Sequence, residues 1–329
     1  MFTQRFTSVL SDVNNSAIIR SVEKMEVHMS IISKIQKLKK EKNAIILVHY
    51  YVNDEIQEIA DYIGDSYYLS KIAKETEAKI IVFCGVSFMG ESAAILNSDK
   101  KVLMPDLKAD CAMAHMADIA KIEEMRRSYE DLAVVCYINS TAEIKTYSDV
   151  CVTSANAVKI VKRLPNKNIY FIPDGNLGRY VAEQVSEKNV ILNKGYCPIH
   201  AAITKEGVQR VKTKYPKAKF LVHPECTKEV VEEADYIGST SGIVNFVEKD
   251  NGEEYIIGTE VGVLHKLKKQ NPDKKFYTLS EHQICGDMKF ITLEKIYSVL
   301  ENESNEIVVS EEKRRKALIP LEKMLELAK

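Results

Sequence analysis

Three cysteines keep a regular beat along this chain. Cys111, Cys197 and Cys285 stand 86 and 88 residues apart. Two other landmarks share that beat. Polar tips end three apolar runs, HYY at 49–51, YIN at 137–139 and HPE at 223–225, and the tips are spaced by 88 and 86 residues. A small hydroxyl residue follows the start of each tip at a distance of 17: Ser66 in GDSYYLSKIA, Ser154 in TSANAVKIV and Thr240 in STSGIVNFV. If equivalent points converge, three thiolates meet in one place, and three thiolates suit soft metals and clusters. A structural zinc site wants four ligands, and no fourth cysteine holds the register. A [4Fe–4S] cluster on three cysteines leaves one iron without a protein ligand, free to act as a Lewis acid.

The other residue types fit a site around such a centre. Ser66, Ser154 and Thr240 read as the caps of three helices whose N-termini face inward, where backbone N–H groups and helix dipoles favour phosphate or carboxylate. The tips bring His49, Tyr51, Tyr137, Asn139, His223 and Glu225 to the ends of parallel strands, the ligand side of an open α/β sheet. His and Asn can donate to carboxylates, and Glu and Tyr can move protons once burial tunes them. Cys197 lies in GYCPIH, where Pro198 restricts the backbone just after it and His200 stands three positions on, at the cluster mouth. Cys84, Cys136 and Cys151 lie within strand patterns and read as core. Cys226 reads as structural, and His28, His115, His265 and His282 have no counterparts in the repeat.

These residues need a scaffold, and the chain supplies one. Its 329 residues, 45% hydrophobic, exceed one ordinary domain. Short continuous apolar runs read as strands covered on both faces: AIILVHY (44–50), KIIVFCG (79–85), LAVVCYI (132–138), NIYFIPD (168–174), KFLVHPE (219–225) and FYTLSE (276–281). Amphipathic segments alternate with them. SIISKIQKLKK (30–40) predicts a helix capped by Ser30, and TLEKIYSVLEN (292–302) one capped by Thr292. The class is α/β. A period near 87 suits a small α/β domain, so the expectation is three homologous αβα domains around a pseudo-threefold axis with a central cluster site. The boundaries are 30–113, 114–199 and 200–287, with 1–29 an N-terminal extension and 288–329 packing back on the first domain.

Several classes are excluded. Charge is balanced, with 46 Lys plus Arg against 47 Asp plus Glu, so no nucleic-acid partner is expected. The first residues carry no apolar core of secretory length, and no apolar run approaches a membrane span. The seven cysteines include no CxxC, which argues against a disulfide framework and for a reducing, cytoplasmic setting.

Taken together, VHYY, GDS, FCGVSFMGESA, MPDLKADC, YINS, TSANA, PDGNLGRY, GYCPIH, VHPEC, GSTSG, GTEVGVLHKL and CGDMKFITLEK resemble the quinolinate synthase family of de novo NAD biosynthesis, over about residues 40 to 300. The resemblance implies condensation of iminoaspartate with dihydroxyacetone phosphate to quinolinate, with loss of phosphate and two waters. It implies one [4Fe–4S] cluster per chain on Cys111, Cys197 and Cys285. His49, Tyr137, Ile138, Asn139, His223, Pro224 and Glu225 become the dicarboxylate-binding and acid–base set. Ser66, Ser154 and Thr240 become the anion set, His200 a pocket residue, and Tyr51 with Glu225 and His223 the catalytic groups. The imine would come from an aspartate oxidase or dehydrogenase in transient contact, the enzyme itself being a monomer or weak homodimer. Three positions depart from the family pattern: Ser87 where histidine is common, Asp110 where glycine is frequent, and Gly286–Asp287 where proline follows the third ligand. Two other classes would use the same residues, a different iron–sulfur hydro-lyase and a non-catalytic metal or redox sensor.

Overall fold

The apolar runs form three separate parallel sheets of four strands. The computed structural model describes residues 28–329. The first sheet contains β1 (Ala44–His49), β2 (Tyr62–Gly64), β3 (Ile80–Cys84) and β4 (Lys101–Leu103). The second contains β5 (Leu132–Tyr137), β6 (Val150–Val152), β7 (Asn168–Ile172) and β8 (Asn189–Leu192). The third contains β9 (Lys219–Val222), β10 (Tyr236–Ile237), β11 (Glu254–Gly258) and β12 (Lys275–Thr278). Each sheet has the same strand order: the second strand, then the first, third and fourth. The registers match too, for β1 pairs Ala44–Val48 with Ile80–Cys84 as β5 pairs Leu132–Cys136 with Asn168–Ile172. The repeat read from spacing is therefore a repeat of topology. In this order the chain reverses direction across the sheet between first and third strands, and that crevice is where open α/β sheets hold ligands.

The central strands are buried along nearly their whole length, because helices cover both faces. One continuous core joins the first two sheets to the C-terminal helices, whereas the third sheet has a separate apolar cluster on each face. The C-terminal segment divides. The helix Leu293–Asn302 lies on β3, while Glu311–Leu327 lies chiefly on β6 and the helix Ala142–Thr146 of the second unit, and also on Ser87–Leu96 of the first. Thr292 caps its helix as expected, its side chain accepting from the Lys295 N–H. Ser30 does not cap: the chain is already helical over 28–41, so Ser30 sits inside the helix. Residues 1–27 of the expected extension lie outside the described residues.

The third unit meets the first at a point with no room to spare. The Gln57 side-chain amide donates to the carbonyls of Tyr50, Val52 and Gly262 at 2.9, 3.2 and 3.0 Å. A Cβ on Gly262 would stand 2.7 Å from the Tyr50 carbonyl oxygen and 2.8 Å from the Tyr51 carbonyl carbon. Both neighbours are backbone and cannot swing aside. Gly262→Ala is expected to cost about 1–3 kcal/mol, read as a lower urea midpoint at unchanged slope. A parent-like midpoint would show that the junction has slack.

Candidate active site

The crevices of all three units open on a single cavity of about 200 Å³. Its walls include His49, Tyr51 and Ser66 from the first unit, Tyr137, Asn139 and Ser154 from the second, and His223, Glu225 and Thr240 from the third. Cys111, Cys197 and Cys285 line it as well, with Pro198 and His200. Ile138 and Pro224 do not. Both are buried behind the tips, where the Ile138 N–H donates to the Val152 carbonyl at 2.8 Å.

The three cysteines have similar local settings. Cys111 and Cys197 are the cap residues of single helical turns, Ala112–His115 and Pro198–Ala201, and Cys285 stands one residue before Gly286, the cap of Asp287–Phe290. The backbone N–H groups of the second and third residues beyond each cysteine favour its thiolate: Met113 and Ala114, Ile199 and His200, Asp287 and Met288. Burial pushes all three thiols up, Cys111 to about 12, and these N–H groups work against that shift. Aimed N–H groups stabilise a thiolate as they do a capping carboxylate, so the donors fit a soft metal or cluster. Cys197, His200 and Glu225 also bring one donor atom each within 4.8 Å of one another, a group that could hold a metal ion. Cys84, Cys136 and Cys151 are wholly buried in strands, as expected of core thiols.

The expectation that Ser66, Ser154 and Thr240 cap helices is overturned. Asp65 caps the first helix, accepting from the Tyr68 N–H, and Ser239 caps the third, accepting from Gly242. Ser66 and Thr240 are the first helical residues, and Ser154 lies two before the Asn156 cap. The physical reason is a shift of one or two residues. With the cap role taken by a neighbour, the hydroxyl residue lies on the cavity wall at the positive end of its helix. Among the described residues no lysine or arginine lines the cavity. An anion there would be met by helix ends, hydroxyls and imidazole N–H groups.

The two tip histidines are built alike. His49 Nδ1 accepts from the Tyr51 N–H at 3.2 Å, and His223 Nδ1 from the Glu225 N–H at 3.3 Å. Burial lowers His49 to about 3 and His223 to about 4. Both are therefore neutral near pH 7 with the proton on Nε2, which makes each a hydrogen-bond donor at that atom. His223 Nε2 lies 3.1 Å from Ser154 Oγ. Because these imidazoles bind protons more weakly when folded, stability is full above pH 6.5 and is lost as the pH falls toward 4. The expected slope is about 1.4 kcal/mol per pH unit for each imidazole, and His49→Gln should remove its share. Urea titrations of metal-free protein between pH 7 and 4 test this, and a flat profile would contradict it.

Glu225 is 3% exposed and surrounded by donors. Tyr137 donates to Oε1 at 2.5 Å, and His200 Nδ1 lies 2.8 Å from Oε2. Burial alone would raise this carboxyl, but the neighbouring imidazoles and the Tyr137 hydroxyl outweigh it and hold it below the usual carboxylate range. Burial, with the Glu225 charge nearby, keeps Tyr51 and Tyr137 as neutral phenols. Tyr51 reaches Glu225 through a residue the sequence reading passed over. Its hydroxyl is 2.7 Å from Thr259 Oγ1, which is 2.9 Å from His200 Nε2. The chain Tyr51–Thr259–His200–Glu225–Tyr137 thus joins side chains of all three units.

Three further findings were not legible in the sequence. Glu260, 1% exposed, lines the cavity beside Cys285. Asn139 Oδ1 and Thr153 Oγ1, buried oxygens of cavity-wall residues, have no hydrogen-bond partner among the described residues, so polar acceptors stand ready for a ligand. The departures Ser87, Asp110 and Asp287 adjoin one another. Ser87 donates to Asp110, His115 Nε2 lies 2.8 Å from Asp110, and the Asp110 N–H donates to Asp287 at 3.3 Å. His115, without a repeat partner, is thereby placed at the rim. His265 stays apart, paired with Glu58.

Comparison with known proteins agrees with this geometry. The family described as quinolinate synthetase A protein (NadA) matches residues 33–326. The chain belongs to this family. It is 57% identical over 295 residues to the quinolinate synthase of Fusobacterium nucleatum, covering 90% of this chain and 98% of that one. It is 51% identical to that of Clostridioides difficile, covering 90% and 97%, and 52% identical to that of a Sulfurihydrogenibium species, covering 91% and 98%. Among the described residues no helix is long and apolar enough to cross a membrane.

Proposed function

We propose that this protein is a quinolinate synthase of NAD biosynthesis, condensing iminoaspartate with dihydroxyacetone phosphate and releasing phosphate and two waters. The observation that carries the reading is the meeting of Cys111, Cys197 and Cys285 with the strand-tip acid–base groups around one cavity. The three cysteines would hold a [4Fe–4S] cluster. When bound, it supplies an iron free of protein ligand that can act as a Lewis acid toward substrate oxygen or nitrogen.

The chain's own groups divide the remaining work. The Nε2–H groups of His49 and His223 and the hydroxyls of Ser66, Ser154 and Thr240 bind and orient carboxylate and phosphate, helped by two helix N-termini. Glu225, held as a carboxylate, is poised to take a proton from carbon next to a carbonyl or imine. Tyr51 and Tyr137, held neutral, are poised to donate to a departing hydroxyl. The chain through Thr259 and His200 lets a proton taken at Glu225 reach Tyr51 without meeting bulk water. The cavity's apolar side, with Val86, Phe88, Met89, Met113 and Met288, limits the water that could hydrolyse an imine.

The test is anaerobic. Iron and sulfide per chain are measured with the visible spectrum, then quinolinate is assayed from freshly generated iminoaspartate and dihydroxyacetone phosphate. About four irons and four sulfides with quinolinate formed is the expected result. A full cluster without quinolinate would transfer the site to another hydro-lyase.

A further inference from the structure

Glu260 and Lys289 lie outside the set that handles substrate, yet they are tied to it at several points. Glu260 stands two residues beyond β11. Its Oε1 accepts from the Cys285 N–H at 3.2 Å and lies 3.0 Å from Lys289 Nζ. Its Oε2 accepts from the Gly262 N–H at 2.6 Å. Lys289 Nζ then donates to the Tyr51 carbonyl at 2.5 Å. One buried carboxylate therefore holds the third cysteine's backbone, the turn that abuts the first unit, and the lysine that grips the Tyr51 tip.

The second unit has a buried carboxylate in the same place without the same contacts. Asp174 stands two residues beyond β7 and is wholly buried; its Oδ1 accepts from the Asn176 and Leu177 N–H groups at 2.8 and 2.9 Å, and its Oδ2 has no hydrogen-bond partner among the described residues. The first unit has Val86 in the equivalent place, two beyond β3. The lysine link occurs on the third unit's carboxylate, where that unit meets the first.

We propose that Glu260 and Lys289 are positioning residues that clamp the Cys285 loop to the Tyr51 tip, so that the third cysteine and the first unit's phenol keep one fixed relation. The inference rests on the reading of Cys285 as a cluster ligand. Outer-sphere partners of ligands orient them, and a charge-assisted hydrogen bond between two chain segments lowers the chance that either opens alone. Lys289 crosses the seam between units that Gln57 and Gly262 also close.

The experiment uses protein purified without oxygen. Amide hydrogen exchange is followed by mass spectrometry over 284–290 and 49–53, together with the rate at which bathophenanthroline strips iron. Lys289→Met is expected to speed exchange in both segments and iron loss by about tenfold. Lys289→Arg should remain close to the parent. The isosteric Glu260→Gln should speed exchange over 284–290, and it gives a second reading if Lys289→Met fails to fold. The double variant Glu260→Gln/Lys289→Met should be milder than Lys289→Met alone, since it leaves no buried carboxylate unpaired. In Lys289→Met, unchanged exchange or acceleration confined to one segment would overturn the clamp while leaving the cluster reading intact, as would simple additivity in the double variant or, should Lys289→Met fail to fold, unchanged exchange over 284–290 in Glu260→Gln. A parent that takes up no iron would overturn the cluster reading, and the clamp's role toward a ligand with it.

Discussion

Cys197→Ala protein, purified anaerobically, is expected to fold and to carry almost no iron or sulfide, against about four of each in the parent. The side chain is partly exposed at the cavity wall, so truncation removes a sulfur without opening a core void. The two N–H groups of Ile199 and His200 would then face no anion, and the remaining thiols could offer only two sulfurs. Quinolinate formation should fall by at least about a hundredfold, more than the loss typical when a ligand's outer-sphere partner is removed. Full iron and sulfide in this variant would refute ligation by Cys197. Iron retained at about one per chain would point instead to a single-ion site drawing on His200 and Glu225, which lie within 4.8 Å of Cys197 by their donor atoms.

Glu225→Gln separates the base from the metal. Glutamine keeps the size of the side chain and can still accept from Tyr137, but it cannot take a proton. The cluster is expected to form, with an unchanged visible spectrum, while kcat falls by about 10² to 10⁴-fold, the range supplied by a positioned acid–base group. Removing a buried charge also removes its desolvation cost, so thermal stability should change little. KM should move less than kcat, because the neutral imidazoles and hydroxyls that would hold the anions remain in place. Turnover like that of the parent would end the proposed role, and loss of iron would mean that Glu225 serves the cluster rather than the proton.

Much of this site is legible in the amino-acid sequence. The spacing of Cys111, Cys197 and Cys285 tracks a repeat whose three copies share one strand order. A side chain at the end of a central parallel strand has its place set by the strand itself, which is why His49, Tyr137 and the residues after β9 reach the cavity as expected. The helix caps were misplaced by one or two residues, because Asp65 and Ser66, or Ser239 and Thr240, offer equally good capping oxygens. Only the backbone dihedrals decide which one turns back. Ile138 and Pro224 failed as wall residues for a related reason: a side chain next to a tip residue points to the other face.

What composition and spacing determined was the fold class, the three-fold repetition and the donors able to carry soft-metal and proton chemistry, all of which follow from local pattern and period. Tertiary structure alone decided which groups touch. Tyr51 meets Thr240 and Thr259 across 189 and 208 residues of chain, Tyr137 meets Glu225 across 88, and Lys289 meets the Tyr51 carbonyl across 238. No periodicity records such pairings. They arise because three separate sheets present their open crevices to a shared centre, and burial there sets which groups stay neutral and which carry charge.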